Sequence, residues 1–371
     1  MTGTPWYKKI DWTVSLFLTI TPLTVAIALP LYIYYAQFPI GIAIFTVIFA
    51  ALTNLSVTAG YHRLFSHKSY EAHWLTKLWF LLIGASAFQG SALKWSSDHR
   101  RHHSFEDSDR DPYNIHRGFW YAHMGWLFFK SSVDQEVQAP DLEKDPLVMW
   151  QHKYFIPLSI FMGFIFPMIV GYFFGSPFGG LIVGGALRIV LTQQSTFFVN
   201  SLSHMLGKRT YSEDISARDS IIVAILTHGE GYHNFHHKFQ FDYRNGIRWY
   251  HWDPTKWTIR ALSFVGLARK LKKISQFEIL KAQISIDALR LKRKGWSDEK
   301  VEQMKEKVLK SMAQYRVLKE DYERRRMEMA QASRQRLIQI KWEMRLAKVE
   351  FQMSLKQWRM TQRVPPFSMT A

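Results

Sequence analysis

Four runs of apolar residues, each about twenty long, interrupt an otherwise polar chain. They cover residues 12–35, 40–59, 155–174 and 178–199. A helix of about 20 apolar residues crosses the hydrocarbon core of a bilayer. Four such runs within the first 200 residues are more than one soluble core takes up. A fifth run, 75–93, is shorter and carries Lys77, Ser86, Gln89 and Ser91. It reads as a helix that dips into the membrane or lies on its surface. The pattern predicts an all-α fold, an integral membrane bundle of four transmembrane helices within residues 1–268. Residues 269–371 read as a separate, basic helical tail.

The loops give the expected orientation. The turns at 37–39 and 175–180 carry no charge. Lys8 and Lys9 precede the first run, Arg63 and Lys68 follow the second, and Lys208 and Arg209 follow the fourth. The positive-inside bias then predicts a multi-pass membrane protein with both termini and the long middle loop cytoplasmic. The first run is too long for a cleavable signal peptide, and no small-residue cleavage site closes it.

Composition narrows the chemistry. The chain has no cysteine and 15 histidines. A disulfide framework, an iron–sulfur cluster, a thiolate zinc site and a cysteine nucleophile are therefore excluded. Any metal must be held by nitrogen or oxygen. Charge is unevenly spread: residues 269–371 hold 26 Lys/Arg against 12 Asp/Glu, a net of +14 out of +18 for the whole chain.

The histidines are clustered. HRLFSH gives His62 and His67, HRRHH gives His99, His102 and His103, and HNFHH gives His233, His236 and His237. NSLSH adds Asn200 and His204. On a helix, positions i, i+3 and i+4 fall within one arc of about 100°, so each His-x-x-His-His presents its three rings together. His62 and His67, at i and i+5, are about 140° apart on an ideal helix, so that pair requires a helix end or a bend. Nine imidazoles exceed what one metal uses, and two metals with four or five nitrogens each would account for them. A saturated all-nitrogen shell departs from the zinc hydrolase pattern of three ligands and an open water, which favours redox iron. Asp98, Asp111 and Glu230 lie close in sequence and are candidates to accept the far N–H of a ligating imidazole.

At these residues the chain resembles the membrane acyl-CoA desaturases of the stearoyl-CoA desaturase type. TAGYHRLFSH, WSSDHRRHH, RGFWYAHMGWL, FVNSLSH and GEGYHNFHH occur in order, over about residues 10–270. The resemblance implies a four-span bundle under a cytoplasmic helical cap that holds a histidine-bound di-iron centre, and insertion of one cis double bond into a saturated fatty acyl-CoA, mid-chain (delta-9 type), with O2 and two electrons. By matched motif, His62, His67, His99, His102, His103, His204, His233, His236 and His237 would bind two iron ions, with Asn200 acting through water. Gln89, Trp95 and Thr196 match residues around the bend of an acyl tunnel. Asp98, Lys130 and Arg188 match positions near the acyl-carrier end. Gly90, Ser97, Phe197 and Tyr113 depart from the residues usual in that family.

The bond to be broken is an unactivated C–H, which no side-chain acid or base ionises, so a metal must carry the oxidation. A hydroxylase or hydrocarbon oxygenase on the same scaffold is the alternative. A histidine-rich metal transporter would need ionisable groups inside the spans, where only Arg188 stands out. No Gly-x-Gly-x-x-Gly between strand and helix, cysteine cluster or haem-type domain is found, so electrons are expected from an external carrier protein of ferredoxin or cytochrome type. The expected partners are fatty acyl-CoA, O2, that carrier and membrane lipid; no nucleic acid is expected, despite the basic charge. In the tail, Ile274, Phe277, Leu280, Ile284 and Leu291, and later Leu337, Ile340, Met344, Ala347 and Phe351, recur at helical spacing. It reads as a solvated helix or helical hairpin, with attraction to anionic headgroups or docking of an acidic carrier as its functional readings.

Overall fold

The structure is a computed structural model, and its described residues are 6–36, 39–130, 139–327 and 334–365. The turn at 37–39 falls partly outside them. The chain divides into two compact units: Met1–Arg209 with Asp214–Lys273, and Thr210–Glu213 with Ile274–Ala371.

In the first unit, four helices are long and apolar enough to cross a membrane: α1 (Trp12–Tyr35), α2 (Ile40–Ser66) and, further along, Phe155–Phe173 and Pro177–Met205. Asp11 caps α1 by accepting from the Val14 N–H. α1 exposes Leu16, Ile20, Leu23, Ile27 and Leu31 along one stripe. Such a stripe is costly in water and natural against lipid tails. Polar side chains within α2 are satisfied by their own helix: Thr46 donates to the Ile42 carbonyl and Thr53 to that of Phe49, each at 2.7 Å.

The second span outruns its apolar stretch. After Leu55 the helix widens into a π-helix over Ser56–Ser66. In that form hydrogen bonds join i and i+5, which brings those positions onto one face. The N–H of His67 accordingly donates to the His62 carbonyl at 3.1 Å, and the two rings lie 4.8 Å apart. The bend that the His62–His67 spacing demanded is thus spread over a π-helical segment.

The run 75–93 is two helices. α3 (Trp74–Ala85) is too short to span, and α4 (Ala92–Phe105) follows it, capped by Ser91. Between them Phe88 and Gly90 take positive φ, 54° and 89°, and turn the chain. A pair of two-residue strands, β1 (Glu71–Ala72) and β2 (Ala268–Arg269), ties the exit of α2 to the end of this unit.

Beyond α4 come α5 (Phe119–His123), α6 (Pro146–Lys153), α7 (Phe155–Phe173) and α8 (Pro177–Met205). Where α7 meets α8 the backbones nearly touch: a Cβ on Gly180 would sit 2.2 Å from the Pro167 carbonyl oxygen, the small-residue contact that packs helices in lipid. Three short helices then complete the cap, α9 (Ile221–Leu226), α10 (His233–Lys238) and α11 (Pro254–Phe264).

The second unit contains α12 (Gln276–Arg293), α13 (Asp298–Met327) and α14 (Arg334–Thr361). Its core gathers Ile284, Ala288, Leu291, Trp296, Val301, Val308 and Trp358. Gly295, at φ 92°, ends the first of these helices.

Candidate metal centre

Three helices and one helix end deliver the nine histidines to one buried place. They form two adjacent groups. One holds His62, His67, His99, His103 and His236, the other His102, His204, His233 and His237. Within each group the donor atoms all lie within 4.8 Å of one another. Each His-x-x-His-His box is divided between the groups. α4 sends its i, i+4 pair, His99 and His103, to the first and His102 to the second. α10 sends its i, i+4 pair, His233 and His237, to the second and His236 to the first. Helix geometry explains the division, because i and i+4 differ by about 40° while i+3 lies on the other side of i. The groups adjoin where the His103 and His237 rings stack at 4.2 Å.

The near nitrogens face one another. Nε2–Nε2 distances are 2.8 Å for His67–His99, 3.1 Å for His99–His103, 3.1 Å for His103–His236 and 3.0 Å for His236–His62. In the second group His233 and His237 stand 3.0 Å apart. The Nε2 atoms of His102 and His204 are buried with no hydrogen-bond partner among the described residues.

Five of the far nitrogens are engaged, while Nδ1 of His233 is buried without a hydrogen-bond partner among the described residues. Nδ1 of His62 meets Glu230 at 2.9 Å, that of His102 meets Asp111 at 2.9 Å, and that of His237 meets Glu106 at 2.7 Å. Nδ1 of His204 meets the Ser216 hydroxyl at 2.7 Å, and Nδ1 of His99 meets the Tyr113 hydroxyl at 3.3 Å. A carboxylate only accepts, so it fixes the proton on Nδ1 and leaves a bare lone pair on Nε2. Bare lone pairs crowded at about 3 Å repel unless a cation lies among them. Imidazole–metal bonds of about 2.1 Å set neighbouring donors roughly 3.0–3.4 Å apart, which matches these contacts. The donor set therefore fits two transition-metal ions that prefer nitrogen.

Electrostatics agree. Burial, reinforced by neighbouring imidazoles, pushes His99, His103, His236 and His237 well below the ordinary imidazole range, and His233 falls to about 3. These rings stay neutral, the form that binds metal. His102 moves upward: burial opposes the shift, but Asp111 outweighs it. Burial would also raise Glu230, yet Arg63 and His62 bring its carboxyl down to about 2. Burial raises Glu106 to about 7 against the pull of His102. Asp111 and Glu230 thus stand where their sequence positions suggested. Asp98 does not touch a histidine nitrogen, and Glu106 does so in its place. Its signal in the sequence was its position at i+3 from His103, at the end of α4. Glu106→Gln keeps an acceptor for His237 but removes its charge; metal affinity is expected to fall about 10–100-fold in chelator competition. Unchanged competition would exclude an orienting role.

A cavity of about 760 Å³ runs up to these rings, a volume typical of small-molecule sites. Phe17, Leu18, Val57, Phe155, Ile156 and Phe164 give it apolar walls. Trp95 packs against His99, rings 4.9 Å apart and nearly parallel. Its indole N–H donates to Gln89, whose amide donates to Thr196 at 2.9 Å, so three elements meet at the wall beside the metal groups. Asn200 and Asp98 also line the cavity. Asp98 is raised by burial against the pull of Lys94 and Arg101.

Two residues placed near the acyl-carrier end are not on this wall. Lys130 is exposed, and its N–H donates to the Lys9 carbonyl at 2.8 Å. Arg188 is fully buried in the bundle, donating to the Gly184 and Ser86 carbonyls at 2.9 and 3.0 Å, with Phe49 beneath it at 4.6 Å. A guanidinium among apolar helices takes the nearest carbonyls and hydroxyls, which a linear motif does not reveal. Lys94, His152 and Lys153 line the cavity instead.

Fold and site together define a membrane protein with a nine-histidine centre at the end of an apolar cavity. A profile of the fatty acid desaturase family matches residues 8–265, and the chain belongs to that family. It is 44% identical over 258 residues to acyl-CoA desaturase 1 of Saccharomyces cerevisiae, covering 69% of this chain and 51% of that protein. It is 40% identical over 283 residues to a probable acyl-CoA desaturase of Schizosaccharomyces pombe, covering 74% and 57%. Against the stearoyl-CoA desaturase of Homo sapiens it is 38% identical over 236 residues, covering 62% and 66%. The chain thus spans about half to two thirds of the length of these relatives.

Proposed function

We propose that this chain is an O2-dependent acyl-CoA desaturase that inserts one cis double bond, mid-chain and of the delta-9 type, into a saturated fatty acyl-CoA. The observation that carries the reading is the convergence of nine histidine side chains, in two groups, at the end of an apolar cavity. The two histidine groups would hold two iron ions, with Asn200 acting through water. Iron would supply the oxidation of an unactivated C–H bond with O2. In the balanced reaction two hydrogens leave the acyl chain, and O2 with two electrons and two protons becomes two waters. A carrier protein of ferredoxin or cytochrome type would bring the electrons to the cytoplasmic face, the side on which both termini would also lie.

The chain's own residues do the positioning. Phe17, Leu18 and Phe164 exclude water and hold the methylenes extended. The Gln89–Trp95–Thr196 group would form the bend that lets a cis geometry fit. Trp95, stacked on His99, would set how near the chain comes to the metal side. Lys94, Asp98, His152 and Lys153 would meet the polar acyl carrier at the mouth.

The test is lipid analysis of a host expressing the chain, with double bonds located by derivatisation. A monounsaturated product supports the reading; an alcohol in its place would mean a hydroxylase. Thr196→Trp is expected to move the product profile toward shorter chains by about tenfold, the scale of roughly one or two methylenes in a hydrophobic pocket. An unchanged profile would remove Thr196 from the tunnel.

A further inference from the structure

Helix α14 has two apolar faces. On one, Leu337, Ile340, Ala347, Ser354, Trp358 and Thr361 recur at steps of three, four or seven and are buried. This face packs within its unit, with Trp358 in the core and Phe351 stacked on Tyr315 at 6.1 Å. On the far side Ile338, Trp342, Leu346, Val349, Met353 and Met360 form a second series. All six are exposed, from 49% for Ile338 to 68% for Leu346. At about 100° per residue they fall within an arc of roughly 80° and extend for roughly 33 Å along the axis.

The borders of this stripe differ in charge. Lys341, Arg345, Lys348, Lys356 and Arg359 follow one edge, while Glu343 and Glu350 stand on the other. A long apolar stripe with a tryptophan and a cationic border is the pattern of helices that lie in a lipid interface. Lys and Arg there reach headgroup phosphates while their stems cover apolar surface. An exposed apolar patch of this length marks an interaction surface. The four spans keep a bilayer within reach, so a second contact with it forms at high effective concentration.

We propose that the exposed face of α14 docks on the anionic lipid surface of the membrane that holds the chain, its apolar side chains entering the headgroup boundary and its basic border contacting headgroup phosphates. The inference depends on the membrane location and not on the reaction catalysed. The cysteine-free sequence makes the test direct. Full-length chains carrying Val349→Cys on the stripe, or Glu343→Cys on its acidic border, are labelled with a polarity-sensitive fluorophore. Each is placed at one copy per nanodisc, in phosphatidylcholine alone or with 30% phosphatidylserine. A spin label on the lipids should quench the Val349→Cys probe at least about fivefold more in anionic discs than in neutral ones, with a blue shift that high salt reverses. The Glu343→Cys probe should stay in water. Adding Trp342→Ser, Leu346→Ser and Met353→Ser should abolish the quenching while circular dichroism stays unchanged. A probe at Val349 that remains in water in anionic discs overturns the proposal. So does protection that needs a second copy in the disc, or an added acidic protein, since either assigns the face to that partner.

Discussion

Replacing His236 by alanine is expected to abolish activity and to remove about half of the bound metal. His236 stands between two neighbours of the five-nitrogen group, 3.0 Å from the Nε2 of His62 and 3.1 Å from that of His103. Its loss removes one donor of five and opens a buried gap. The remaining lone pairs then surround an ion with an incomplete shell. Loss of a mere orienting carboxylate costs about 10–100-fold, so loss of a donor should exceed about 100-fold in turnover. The second group keeps all four of its nitrogens and should keep its ion. Metal analysis of purified protein, beside product analysis and an assay of membrane insertion, reads all three effects. Two ions per chain in His236→Ala, or activity near that of the parent, would contradict the assignment.

The other large effect is expected at Arg63. Its guanidinium donates to Glu230 at 2.9 Å, to Asp253 at 3.0 and 3.2 Å, and to the Tyr243 carbonyl at 2.8 Å. All three charged side chains are buried. Arg63→Met leaves two carboxylates without their cation. Breaking a buried pair by removing one partner costs about 3–5 kcal/mol, a large part of the about 5–15 kcal/mol that holds a domain folded. The apparent melting temperature in detergent should fall by about 10 °C. Glu230 also accepts the hydrogen bond from the Nδ1–H of His62, so metal retention should fall with it. Arg63→Lys keeps one charge and should lose less. A melting curve unchanged in Arg63→Met would show that the network is not structural.

Much of this was legible in the chain. Apolar runs of membrane length are a coarse signal, and they located four spans. The second span was cut short at residue 59, because the turn bearing His62 and His67 is too polar to register as membrane helix. The i, i+5 spacing of those two histidines still disclosed that an ordinary helix could not serve. The angular arithmetic of HRRHH and HNFHH placed the three rings of each box on one face, whereas the structure divides each box between two groups. Which ring joins which group needed the crossing of α4 and α10 in space. Contacts through space were otherwise hidden. The place of Glu106 three residues after His103 sets it beside the histidines, but only the fold shows that its partner is His237, 131 positions away. Nor does the motif around Arg188 show that its donors are taken up by α2, α7 and the turn after α3.

The division of each histidine box between two groups has a consequence for biogenesis. Neither group is complete on the ribosome until HNFHH has been made, although α1, α2 and HRRHH emerge more than a hundred residues earlier. The growing polypeptide must settle in the bilayer with most of its imidazoles waiting. Because both groups draw on the same two helices, a first ion seated there would draw those helices together and prepare the second seat. Loading should proceed nearly all at once, with singly filled molecules scarce.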